Sequence, residues 1–120
     1  MDLIFGAASR GDLAEVQRLV EEDPARVNAT DGADGWTPLF YSTSQGHVAV
    51  VAYLLDQGAV IDFQDRHGWT ALHLACQRGR LEVVRLLSDR GADLTLTEEH
   101  YETPFIRACI DGQSSTWCST

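Results

Sequence analysis

Apolar positions along the chain fall into short helical stripes punctuated by glycine. Leu3, Ile4, Ala7 and Ala8 share one helical face, and Leu13, Val16, Leu19 and Val20 share another. A third stripe is Val48, Val50, Val51 and Leu54; a fourth is Leu81, Val83, Val84, Leu86 and Leu87. Gly11 ends the first predicted helix, where a left-handed residue is wanted. Asp12 is placed to cap the second, with Glu15 in capping-box position. Pro24 stops that second helix. Thr37 can cap a further short helix with Pro38 at its first position, where a missing N–H costs nothing. Gly58-Ala59 closes the helix of the third stripe. The loop over residues 28–34 carries the turn signal Asp31-Gly32 and runs into Asp34-Gly35. Many stripe residues are β-branched and mediocre helix formers alone, so packing must hold these helices.

The stripes repeat. Moved back by 33 residues, Gly68, Trp69, Thr70, Leu72 and Gly79 land on Gly35, Trp36, Thr37, Leu39 and Gly46. Val83, Val84 and Leu87 land on Val50, Val51 and Leu54, and Gly91-Ala92 on Gly58-Ala59. Moved forward by the same 33, Thr70, Leu72, Ala75, Cys76 and Gly79 meet Thr103, Phe105, Ala108, Cys109 and Gly112. Gly11 reaches Gly46 only with a shift of 35, so two extra residues precede Gly35.

A 33-residue period bearing Thr70-Ala71-Leu72-His73-Leu74-Ala75, with its start repeated at Thr37-Pro38-Leu39 and Thr103-Pro104-Phe105, resembles the ankyrin-repeat family over about residues 2–112. The resemblance implies an all-α ankyrin-repeat solenoid of helix–turn–helix units, each followed by a hairpin loop. One domain over 1–120 would hold repeats at about 2–34, 35–67 and 68–100, a truncated fourth at 101–112, and an irregular tail at 113–120. The nine Leu and Val side chains of residues 68–100 cannot offset the ordering of a whole unit, so the repeats must stabilise one another by stacking.

The fourth unit starts in register and then fails. Tyr101 stands where Gly is expected, and of Ser114, Thr116, Trp117, Ser119 and Thr120 only Trp117 suits a helix face. The final eight residues are therefore expected not to form a second helix. The outer face of the residues 81–87 helix would then be covered by a polar adjustment, a partner, self-association, or more chain.

Charge narrows the partners. Nine basic residues, all Arg, face 18 acidic ones, for a net charge of −9. Residues 1–34 hold eight carboxylates against three Arg; residues 68–100 hold five against four. Such a chain repels nucleic-acid backbones, while a cationic surface or simply water suits its exterior. No apolar run is long enough to span a bilayer, and Met1-Asp2-Leu3-Ile4-Phe5 reads as helix rather than as a secretory signal. Three Cys without a C-x-x-C pair fit an intracellular, reducing setting, cytoplasmic or nuclear. Asn28-Ala29-Thr30 matches a glycosylation pattern but reads as an ordinary turn of these repeats.

Candidate chemistry is sparse. By the resemblance, His73 bonds to Thr70 structurally, and His47 resembles the family's helix-cap His. His67 and His100 lie at hairpin tips, two ligands where zinc wants four, so no metal is expected. The resemblance also implies that Cys76 and Cys109, one repeat apart, stand too far from each other for the roughly 7 Å between α-carbons that a disulfide allows, so they read as small buried residues. Cys118 is expected to be exposed. No nucleophile has a His implied beside it in a pocket, and Gly32-Ala33-Asp34-Gly35 lacks the Lys-Ser/Thr of a phosphate loop, so neither catalysis nor a cofactor is expected.

The resemblance places partner contacts on hairpin tips and the inner face of the short helices. The tip positions are Asp34, Trp36, Arg66, His67, Trp69, His100 and Glu102; the short-helix positions are Ser44, Gln45, Gln77, Arg78, Ile110 and Asp111. Trp36 and Trp69 are either interface anchors or covers for neighbouring backbone. The expected function is non-catalytic protein–protein recognition, with a targeting or regulatory segment of a larger enzyme or channel as the alternative.

Overall fold

A computed structural model describes residues 3–32 and 35–93. These residues form six α-helices and one 3₁₀ turn, with no strand among them. The helices are α1 (Leu3–Arg10), α2 (Leu13–Glu22), α3 (Pro38–Gln45), α4 (Val48–Asp56), α5 (Ala71–Gln77) and α6 (Leu81–Asp89); the 3₁₀ turn is Pro24–Asn28. Each odd helix packs against the even helix that follows it. The odd helices also stack on one another, and so do the even ones, giving two helical layers built from three successive pairs. This is the all-helical three-repeat solenoid that the period predicts. The expected fourth repeat and tail lie outside the described residues.

One turn joins the helices of every pair. Gly11, Gly46 and Gly79 take φ of 73°, 75° and 68°. After α1, the Gly11 N–H reaches Ala8 O at 3.2 Å and the Asp12 N–H reaches Ala7 O at 3.0 Å. The bonds recur from Gly46 and His47 to Thr43 and Ser42, and from Gly79 and Arg80 to Cys76 and Ala75. They satisfy carbonyls that a helix end would otherwise leave open. Gly11 is required twice over, because a Cβ there would lie 2.5 Å from His47 Nδ1.

The core shows why the pairs need one another. Ile4, Phe5, Ala7, Ala8, Val16, Leu19 and Val20 of the first pair form one buried cluster with Val50 and Leu54 of α4. Val51, adjacent on α4, belongs instead to a cluster with Leu39, Leu72, Ala75, Cys76, Val83 and Leu87. Residues 50 and 51 point about 100° apart on a helix of 3.6 residues per turn, so α4 serves both neighbours. Accordingly α4 carries no charge before Asp56, whereas α2 and α6, with one described neighbouring repeat each, are plainly amphipathic.

Two apolar stripes differ from expectation. Leu3 is 67% exposed and Phe5 buried, because Ile4, Phe5, Ala7 and Ala8 make up the inward face of α1. Leu81, the first residue of α6, is also exposed. The Asp12 side chain accepts from Glu15 N as predicted, but the Glu15 carboxylate turns to Arg18, 2.5 Å from Nη2. That charged bond holds the Glu15 carboxyl below its ordinary range. Pro24 does end α2, and starts a 3₁₀ turn that buries Val27.

Polar side chains pin each junction in register. His47 Nε2 contacts Ser9 O at 2.9 Å; one repeat later, Arg80 Nε donates to Ser44 O at 3.2 Å. A carbonyl only accepts, so His47 Nε2 carries the hydrogen. His47 thus starts α4 without a side-chain cap bond to it and fastens the preceding repeat instead. Asn28 Oδ1 accepts from Val60 N at 3.0 Å, and Asp62 Oδ1 accepts from Asp93 N at 2.8 Å.

Candidate partner-binding groove

The hairpins that precede α3 and α5 are each closed by an aspartate. Asp31 Oδ1 accepts from the N–H groups of Gly35 and Trp36 at 2.9 and 3.2 Å, and the Asp31 N–H donates to Trp36 O. Asp65 Oδ1 accepts from His67 and Trp69 at 2.8 and 3.0 Å, and its N–H donates to Trp69 O. The remaining oxygens reach further: Asp31 Oδ2 takes the Tyr41 hydroxyl, and Asp65 Oδ2 takes the indole N–H of Trp36 at 3.0 Å. One indole therefore ties the two hairpins together. Arg66 adds a second tie, donating from Nη2 to Gly32 O at 2.9 Å.

Trp36 is held on its faces as well. It stacks on Phe40 with centroids 5.8 Å apart and meets Tyr41 edge-on at 5.3 Å, while Phe40 touches Phe63 at 6.4 Å. Trp69 lies 5.9 Å from the His73 ring. Both tryptophans keep part of their surface exposed.

Between the two tips and α5 runs a cleft of about 310 Å³. Phe40 and Leu74 lie at its base, nearly buried; Trp36, Trp69 and Asp65 also line it, with His67, Gln77 and Arg78 completing the lining. Five expected contact residues, Trp36, His67, Trp69, Gln77 and Arg78, thus meet at one cleft. Arg66 and Gln45 are exposed but do not line it. Ser44 is only 4% exposed, which leaves little for a partner to touch. Asp34, His100 and Glu102, like Ile110 and Asp111, lie outside the described residues. Sequence reasoning passed over Asp65 and Phe40. The signal for Asp65 is its spacing, since Asp31 and Asp65 each precede a Gly-Trp-Thr by a few residues.

The titratable groups nearby are tied into structure. His73 is fully buried and its Nδ1 faces both the Thr70 N–H, at 3.2 Å, and the Thr70 hydroxyl, at 2.8 Å; the His73 N–H in turn donates to Thr70 Oγ1. This is the bond that the resemblance implies. Burial among apolar side chains pushes the Cys76 thiol up to about 12, so it stays protonated and a poor nucleophile near neutrality. Among the described residues no group of three or more His, Cys, Asp or Glu is placed to hold a metal ion. None of the described helices is long and apolar enough to cross a membrane.

Stacked helix pairs joined by hairpins define a helical repeat protein. A family model for ankyrin repeats in three copies matches residues 4–98, and the chain belongs to the ankyrin-repeat family. Among curated proteins, mouse ankyrin repeat domain-containing protein 40 is 45% identical over 53 residues, 44% of this chain and 14% of its own length. Human ankyrin repeat domain-containing protein 39 is 40% identical over 63 residues, 51% of this chain and 32% of its own. The serine/threonine-protein kinase VIK of Arabidopsis thaliana is 44% identical over 64 residues, 53% of this chain and 14% of its own. The matches therefore span a third or less of these relatives.

Proposed function

We propose that this chain is a non-catalytic recognition module that holds a protein partner in the cleft between its second and third hairpin tips. Ankyrin repeats generally mediate protein–protein interaction. The observation that carries the reading is the meeting of Trp36, His67, Trp69, Gln77 and Arg78 at one aromatic cleft. Trp and Arg are the side chains most often responsible for interface affinity. The tips are fastened by Asp31, Asp65 and the Trp36 indole before any partner arrives, so little ordering cost falls on binding. Gln45 and Arg66 extend the contact surface beyond the cleft; Asp34, His100 and Glu102 remain in the proposed set, and Ser44 leaves it. The setting is intracellular, and the domain extends over the whole of 1–120 with the repeat boundaries given above.

The test is affinity capture on immobilised protein, comparing wild type with Gln77→Ala/Arg78→Glu and with Arg85→Glu on α6. Arg78 and Arg85 are exposed and Gln77 is only half-buried, so the variants should melt within a few degrees of the parent. A partner retained by wild type and Arg85→Glu but lost by the cleft variant supports the reading; equal retention by all three defeats it.

A second reading is that the module targets or regulates a larger enzyme. The match to VIK, a kinase of which it covers 14%, favours this. A longer product of the same locus with a kinase or other catalytic segment would bear it out.

A further inference from the structure

Resting on the cleft as the partner site, we infer that its occupant is a peptide segment carrying a large apolar side chain beside an acidic one, the apolar group seated between the two indoles and the carboxylate on Arg78. The volume comes first. About 310 Å³ is at the small end of the ~300–1,000 Å³ range of ligand pockets, enough for one or two side chains. Phe40 and Leu74 at its base and the two tryptophans on its walls select an apolar one.

Charge then selects the neighbour. Arg78 makes no ion pair or side-chain hydrogen bond among the described residues, unlike Arg18, Arg26, Arg66, Arg80 and Arg90. It therefore presents an unspent guanidinium fork at the cleft, suited to a bidentate carboxylate. Gln77 beside it adds a half-buried amide. The one carboxylate in the lining, Asp65, already accepts three N–H groups, and these dipoles oppose its field in the cleft.

A cationic peptide is the rival, because indole faces attract cations and the chain carries −9 overall. Distance decides against it. The Debye length is about 8 Å at physiological salt, so carboxylates on remote repeats are screened while Arg78 lines the cleft itself.

A short-peptide display library selected against the full chain tests this, with binding of the synthesised winners followed by tryptophan fluorescence. Enriched sequences should pair a large apolar residue with Asp or Glu within a few positions. They should bind Arg78→Glu about tenfold more weakly, as loss of one charge-assisted bond implies, and replacing their acid by Lys should reverse that preference. Winners rich in Lys or Arg, or acid-bearing winners indifferent to Arg78→Glu, overturn the acidic preference. If Gln77→Ala and Trp69→Phe still weaken those peptides, the cleft stands as the partner site and only the inference falls. If no variant matters, or no sequence is enriched, both fall.

Discussion

The second and third repeats share a backbone and hold it by different means. Thr37 and Thr70 precede their short helices with nearly the same dihedrals, φ −93° and ψ 169° against −104° and 171°. In the third repeat, Thr70 and His73 satisfy each other in a closed capping box. In the second, Phe40 replaces the histidine, and Thr37 Oγ1 is buried without a partner. The contrast recurs one turn on, where Thr43 Oγ1 is also orphaned and its counterpart in the third repeat is Cys76. The second repeat offsets two unsatisfied hydroxyls with aromatic packing: Phe40 against Trp36 and Phe63, and Trp36 against Tyr41. The same shape can thus rest on hydrogen bonds or on rings, and the ring solution also builds the cleft.

The largest effect should come from taking the rings away. Phe40→Ala should destabilise by about 3–5 kcal/mol, the usual range for a buried aromatic, read from chemical denaturation. A loss under about 1 kcal/mol would mean that packing does not replace the missing histidine. Next come the two threonines. Thr70→Val should cost about 1–3 kcal/mol by stranding the buried His73 N–H and leaving Nδ1 only the backbone N–H of residue 70, while Thr37→Val, which removes an orphan, should be nearly neutral or stabilising. Equal losses at both positions would erase the contrast.

Trp36→Phe keeps a ring but drops the indole bond to Asp65, and should cost about 1 kcal/mol while loosening hairpin amide protection in hydrogen exchange. Thr43→Cys copies the third repeat into the second, and should leave the melting temperature unchanged or slightly raised. The effect that is silent at neutral pH concerns Cys76 itself. Its folded value of about 12 exceeds the ordinary 9.0, so its contribution to stability is full below pH 9 and is lost between pH 9 and about 12. At neutral pH a thiol reagent should label Cys76 only on unfolding, as mass spectrometry of the labelled peptide would show.

Much of this was legible in the residues. The period fixes the helix pairs, the glycines mark the turns, and the bond between His73 and Thr70 is the one the ankyrin resemblance implies. The pattern was less informative where local rules compete. Leu3 has helical spacing with Ile4, but spacing alone does not say which residues of α1 turn inward, and Phe5 does. Glu15 stands where a capping box wants it and takes the nearer charge of Arg18. In the groove, the tips and inner-face positions were foreseeable from the repeat, and the cleft joins five of them. The role of Asp65 was not, because its two oxygens serve different hairpins, and no local sequence rule links Trp36 to a residue 29 positions later.

The His47 and Arg80 fastenings carry a consequence for how such a chain can lengthen. Each seam offers a backbone acceptor on one side and a long polar arm on the other, and imidazole and guanidinium are both accepted there. A spliced-in block beginning with either residue and ending on the same left-handed glycine turn would find its socket ready and leave a matching one behind. The molecule thereby holds a rule for growing by whole modules without redesigning the joints.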